Sequence, residues 1–229
     1  MSPALFADRE DAGRQLAARL LHFKTRDPVV LALPRGGVPV GREVAAALDA
    51  PMDLILVRKI GAPGQPELAL GAVVDGARPE LVINEDVKAM LHVTDDYIAQ
   101  AEARQLEEIR RRRELWLGDR PRVAVEGKTA LIVDDGIATG ATVRAALHAV
   151  RRARPARLVL AAPVAPPDTI ESLHDDADEI VCLATPEAFW AISTFYQDFP
   201  QVADTEVTAM MGAVRRADTP ARTHGGSKP

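Results

Sequence analysis

The sequence predicts an α/β fold built on a parallel sheet. Short apolar runs at 29–33, 53–57, 129–133, 157–162 and 179–183 alternate with stretches of helical spacing. The first two runs enclose a loop and a helix, a βαβ unit whose crossover favours parallel pairing.

Taken in order, Leu16, Leu20 and Leu21 form one stripe of a helix over 9–22, and Asp27-Pro28 ends it before the first strand. Pro34-Arg35-Gly36-Gly37 is a loop, and helical spacing resumes from Val40 to Leu48. The second strand follows, with Arg58-Lys59 expected at its C-terminal end. Residues 61–76 contain four glycines and two prolines and read as a mobile loop or an irregular hairpin. Helical spacing returns over 84–117, where Thr94-Asp95-Asp96 marks a helix start and the whole segment reads as an inserted arm. Arg110 to Arg113 follow Glu107 and Glu108 there, a pattern expected of a solvated, salt-bridged face rather than of a nucleic-acid contact. The remaining elements are strands at 129–133 and 157–162, helices at 139–152 and 170–173, and a strand at 179–183. Phe189, Trp190, Phe195, Tyr196 and Phe199 come next. From Arg215 the tail lacks apolar anchors and is expected to be disordered.

Composition narrows the class. The 229 residues are 47% hydrophobic and 27% charged, and the mean hydropathy of -0.05 is that of a globular chain rather than a membrane-spanning one. One domain over 1–214 is expected. The net charge of -5 gives nucleic acid no global attraction. Cys182 is the only cysteine, which rules out an intrachain disulfide and a cysteine-based metal cluster. The N-terminus has no basic segment leading into a long apolar block, so a cytoplasmic location is expected.

The segment richest in chemistry is 131–142, LIVDDGIATGAT. An apolar strand delivers Asp134 and Asp135 to its C-terminal edge, where open α/β sheets hold their ligands. Two such carboxylates can accept hydrogen bonds from ribose hydroxyls or hold a magnesium ion through water. Gly136, Ala138, Thr139, Gly140, Ala141 and Thr142 then open a helix. Backbone N–H groups converging at a helix start, with two threonine hydroxyls beside them, suit a phosphate monoester. Singly, the features equally fit a helix cap on Thr139 and a solvated or phospho-accepting aspartate turn.

This segment resembles the signature of the type I phosphoribosyltransferases: an apolar strand, two acids, two variable residues and a small-Thr-Gly-x-Thr loop. The resemblance extends over about 29–199, and the arm together with GAPGQPELALGAVVDG resembles a bacterial subgroup of uncertain substrate. It implies a parallel sheet flanked by helices, with a hood over about 184–214 and the arm as an insertion. It also implies that Asp134 and Asp135 engage the ribose of 5-phosphoribosyl-1-pyrophosphate (PRPP) and that Ala138 to Thr142 hold its 5-phosphate. Arg35, Gly36, Gly37, Arg58 and Lys59 would face pyrophosphate, Phe189 or Trp190 would stack on a base, and a homodimer would be the working unit.

The implied reaction is magnesium-dependent transfer from PRPP to a nitrogenous base or related small nucleophile. Arg35 and Lys59 would neutralise the leaving group, the 61–76 loop would close over it, and Glu67 on that loop would take the acceptor's proton. Ala138 stands where 6-oxopurine enzymes carry an aspartate, which argues against simple hypoxanthine or guanine salvage. The alternative is a non-catalytic PRPP-binding regulator.

Overall fold

The computed structural model describes residues 4–76 and 79–217, with side chains described to residue 214. Five strands, β1 (Pro28–Ala32), β2 (Met52–Leu54), β6 (Thr129–Val133), β7 (Arg157–Val164) and β8 (Glu179–Ala184), form one parallel sheet in the order β2-β1-β6-β7-β8. Strands β1, β2 and β6 are buried along their whole length, as both-face burial of apolar runs requires. Helices cover both faces. On one, α1 (Arg9–Leu20) and α2 (Gly37–Leu48) contribute Leu16, Leu20, Val40 and Val44; on the other, α5 (Ala141–Arg152) contributes Val143, Ala146, Leu147 and Val150.

The 61–76 segment is a hairpin. β3 (Val57–Ala62), β4 (Gln65–Val74) and β5 (Glu80–Ile83) form a separate antiparallel sheet, with a register shift at Gly61. Arg58 and Lys59 therefore belong to β3, beyond the end of β2, which corrects their expected placement. Two of the glycines serve close approach rather than looseness: a Cβ on Gly61 would lie 2.4 Å from the Pro66 carbonyl oxygen and one on Gly71 2.3 Å from that of Val82, while Gly64 takes φ +72° at the turn. Ile60, Leu70 and Val73 pack in the core shared with the arm, and Ala72 and Val74 in the core shared with α5.

The arm is two helices, α3 (Glu85–Met90) and α4 (Asp95–Leu117), capped by Asn84 and Thr94 through hydrogen bonds from the Val87 and Tyr97 amides. The Tyr97 hydroxyl donates to the Gly61 carbonyl at 3.0 Å and Arg58 Nε to Gln105 Oε1 at 3.2 Å, so the arm fastens the hairpin. Arg110 pairs with Glu107, and Arg111 and Arg112 pair with Glu108, as the solvated-face reading expects. Arg113 differs. Its side chain is only 12% exposed and reaches Asp53 of β2 at 3.1 Å and Asp75 at 2.9 Å, while Arg122 also binds Asp75.

Hydrogen bonds from Arg111 and Arg112 hold the Glu108 carboxyl at about 2. Because this value lies below that of an unfolded glutamate, the pair's stabilisation is complete above about pH 4.5 and disappears as pH falls towards 2. Melting curves of the native chain and Glu108→Gln should accordingly differ at pH 6 and converge near pH 2.

After α6 (Pro167–Ser172) and β8, a 3₁₀ turn over Ile192–Phe195 leads to α7 (Asp204–Ala217), a helix the sequence reading did not separate from the hood. Val207 and Met211 bury against the α1–α2 side of the core. The first three residues of the tail expected to be disordered are thus helical, and its remainder lies outside the described residues. Among the described residues, no helix is long and apolar enough to cross a membrane.

Candidate active site

Register brings the site together. Ala32 of β1 pairs with Val133 of β6, and Val133 with Ala161 of β7, so the chain leaves β1 and β6 side by side at one sheet edge. Leu33 N–H donates to the Val133 carbonyl at 2.9 Å, which lays the 33–37 loop along Asp134. The contact is close enough to exclude side chains: a Cβ on Gly36 would fall 1.9 Å from Asp135 Oδ2, and one on Gly37 would fall 2.7 Å from the Val133 carbonyl oxygen. The Pro34–Arg35 peptide in this loop is cis.

The two carboxylates have different surroundings. Asp134 Oδ1 accepts from the Asp135 amide at 2.9 Å. Asp135 is buried, and its Oδ2 accepts from Arg9 Nε at 2.7 Å while its backbone carbonyl accepts from the Tyr196 hydroxyl at 2.5 Å. Burial, and then the charge of Asp135, raise the Asp134 carboxyl well above the usual carboxylate range. Burial followed by the same neighbour pushes the Tyr196 phenol up as well. One oxygen on each aspartate is tied, Asp134 Oδ1 and Asp135 Oδ2.

Beyond them the loop is held by its own backbone: Ile137 N–H donates to the Val164 carbonyl at 2.9 Å, and Thr169 Oγ1 to the Ala138 carbonyl at 2.7 Å. Gly140 takes φ +74° and caps α5, so the helix begins at Ala141 rather than at Thr139. Among the described residues, no acceptor meets the backbone N–H of Ala138, Thr139, Gly140, Ala141, Thr142 or Val143. Ala138, Thr139 and Ala141 are exposed. The result is a cluster of N–H donors at the positive end of a helix, next to two carboxylates.

A profile of the phosphoribosyl transferase domain family matches residues 6–200. The chain belongs to that family. Two Mycobacterium tuberculosis proteins, from strains CDC 1551 and H37Rv, are provisionally named phosphoribosyl transferases and are each 47% identical over 213 residues, 93% of this chain. The chain spans about half the length of these curated relatives, 47%. The crystal structure of TT1426 from Thermus thermophilus is 44% identical, with a TM-score of 0.78 over 90% of this chain and 97% of that one.

The other residues expected at the site are more dispersed. Arg35 is 3.6 Å from Asp204 of α7, and of the loop amides Gly37 N–H is already donated to Leu33 while those of Arg35 and Gly36 meet no acceptor among the described residues. Lys59 and Glu67 are exposed on β3 and β4. Phe189 packs on Phe195 with ring centroids 5.2 Å apart, whereas Trp190 is 90% exposed. Sequence reasoning missed Arg9 and Tyr196, which contact Asp135. A cavity of about 880 Å³ lies elsewhere, walled by Leu31, Ile55, Val123, Val150 and Arg122, and neither aspartate borders it.

Magnesium fits the aspartate pair. Among the described residues no group of three or more His, Cys, Asp or Glu is arranged to enclose a metal. An ion that keeps waters and substrate oxygens in its shell needs only one or two carboxylates. The raised Asp134 carboxyl beside Asp135 is a site where added positive charge is favourable.

Proposed function

We propose that the chain is a magnesium-dependent phosphoribosyltransferase that transfers the phosphoribosyl group of PRPP to a nitrogenous base or related small nucleophile and releases pyrophosphate. The observation that carries this reading is the set of unpaired N–H groups from Ala138 to Val143 beside Asp134 and Asp135. Those donors would receive the 5-phosphate, with the Thr139 and Thr142 hydroxyls adding to them. The aspartates would receive the ribose hydroxyls and hold magnesium, which when bound supplies positive charge to the departing pyrophosphate.

The bond from ribose C1 to pyrophosphate oxygen breaks, its electrons leave with pyrophosphate, and a bond from C1 to the acceptor forms. The cationic character that develops at C1 demands an anionic leaving group that is already neutralised. Arg35, Lys59 and the open Arg35 and Gly36 amides would do this, with Arg58 and Gly37 shaping the same edge. Trp190 offers an uncovered ring for a planar acceptor, and Phe189 supports the segment that carries it. Ala138 has no proton-accepting side chain, so the acceptor's proton would go to Glu67 on the hairpin. The reading includes a single domain, a homodimer as the working unit and a cytoplasmic setting, as the family likeness implies.

Pyrophosphate release from PRPP and magnesium, assayed over a panel of purine, pyrimidine and other nitrogen acceptors, tests the proposal. Release should depend on one acceptor class, and Glu67→Gln should lower the rate by roughly 10²- to 10⁴-fold if Glu67 is the base. Saturable PRPP binding with no release for any acceptor would replace transfer with regulation.

A further inference from the structure

Arg9 is 126 residues from Asp135 in sequence, yet its guanidinium is buried against that carboxylate. Nε donates to Asp135 Oδ2 at 2.7 Å, one terminal nitrogen donates to the Pro200 carbonyl at 2.6 Å, and the guanidinium carbon lies 3.6 Å from the centre of the Phe199 ring. The Tyr196 hydroxyl reaches the Asp135 carbonyl from the same segment, and the Tyr196 and Phe199 rings are 4.7 Å apart. The N-terminal segment closes the arrangement: Leu5 and Phe6 amides donate to the Phe195 carbonyl, and Gln197 and Asp198 amides donate to Phe6 and Ala7.

These contacts join three parts of the site. Asp135 is the carboxylate on the strand edge, Gly36 of the first loop abuts the same Oδ2 that Arg9 holds, and residues 195–200 continue the segment bearing Phe189 and Trp190. An arginine suits the position because its planar fork satisfies a carboxylate, a carbonyl and a ring face together. A lysine offers one compact charge and cannot do all three.

Resting on the PRPP-binding reading, we infer that Arg9 is a positioning residue of the donor site: it fixes Asp135 in the orientation that receives ribose and ties occupancy of that site to the 195–200 segment. Arg9 does not itself touch PRPP. Its fixed hold on Oδ2 leaves Asp135 Oδ1 as the oxygen presented to ligand. Ligand bound to Asp135 then also steadies Tyr196, Phe199 and Pro200, and through them the segment proposed to meet the acceptor.

The test compares the native chain, Arg9→Met and Arg9→Lys by calorimetric titration with PRPP and magnesium, well below each protein's melting midpoint. Amide hydrogen exchange over 195–200 is followed alongside. Arg9→Met should weaken PRPP binding by roughly 10- to 100-fold, the usual effect of removing a group that orients a direct ligand. PRPP should slow exchange over 195–200 in the native chain and not in Arg9→Met. If Arg9→Met does not fold, Arg9→Lys decides the matter, with a predicted loss of affinity in a folded protein. Folded variants that bind PRPP as tightly as the native chain would overturn the positioning role and leave the donor site intact. A native chain that does not bind PRPP would overturn both.

Discussion

Replacing Asp134 and Asp135 together by asparagine should abolish measurable PRPP binding. Each ionised carboxylate bonding a hydroxyl contributes about 1.5–3 kcal/mol, so removing both charges costs roughly 10²- to 10⁴-fold in affinity before the lost magnesium is counted. The two substitutions act differently. Asp135→Asn also leaves the buried Arg9 guanidinium without its anion and should lower stability. Asp134 makes no ion pair among the described residues, and its carboxyl already sits above its ordinary range, so Asp134→Asn relieves strain in the free protein while removing a ligand contact. Calorimetry on the single and double variants, with melting midpoints taken in parallel, separates the effects. Wild-type affinity in a folded Asp134→Asn protein would refute its role.

Arg113→Met should be the most destabilising single change in the arm. Arg113 fixes α4 to both β2 and the end of β4, and the side chains of Asp53 and Asp75 are only 5% and 1% exposed. Removing one member of so buried a network leaves carboxylates without full compensation, a loss of about 3–5 kcal/mol. For a chain of this size that corresponds to a fall of roughly 6–20 °C in Tm. Arg122 still binds Asp75, and the Val123 amide still donates to Asp53 at 3.0 Å, which keeps the effect within that range. By contrast, Arg110→Ala removes an exposed, solvent-screened pair and should leave the melting midpoint nearly unchanged. Equal melting curves for Arg113→Met and Arg110→Ala would refute the distinction.

What the sequence revealed was mostly what is contiguous. Residues 131–142 carry strand, acids and helix start in one run, so their chemistry was legible without the fold. The parallel strands were legible because both-face burial produces uninterrupted apolar runs. The hairpin was harder, since Gly61, Gly64 and Gly71 read as loop residues, while at Gly71 the backbone of β5 comes too close for a side chain. Arg58 and Lys59 were displaced for the same reason, because the chain turns into a second sheet soon after β2.

Arg113 was hidden by its three arginine neighbours. Its spacing from Ile109 and Trp116, both buried, places it on the core stripe of α4, a signal that composition obscured. The Arg9–Asp135 pair had no comparable local signal. α7 was legible in part: Val207 and Met211 have helical spacing, but they follow an aromatic segment that dominated the reading of the hood.

The most direct test of the donor site is amide NMR of the uniformly labelled chain titrated with PRPP and magnesium. The largest shifts should fall on the N–H groups of Ala138 to Val143, with smaller ones at Arg35 and Gly36. Saturating PRPP that leaves those amides unmoved, or instead shifts residues around Arg122 and Val150, would contradict the proposed site.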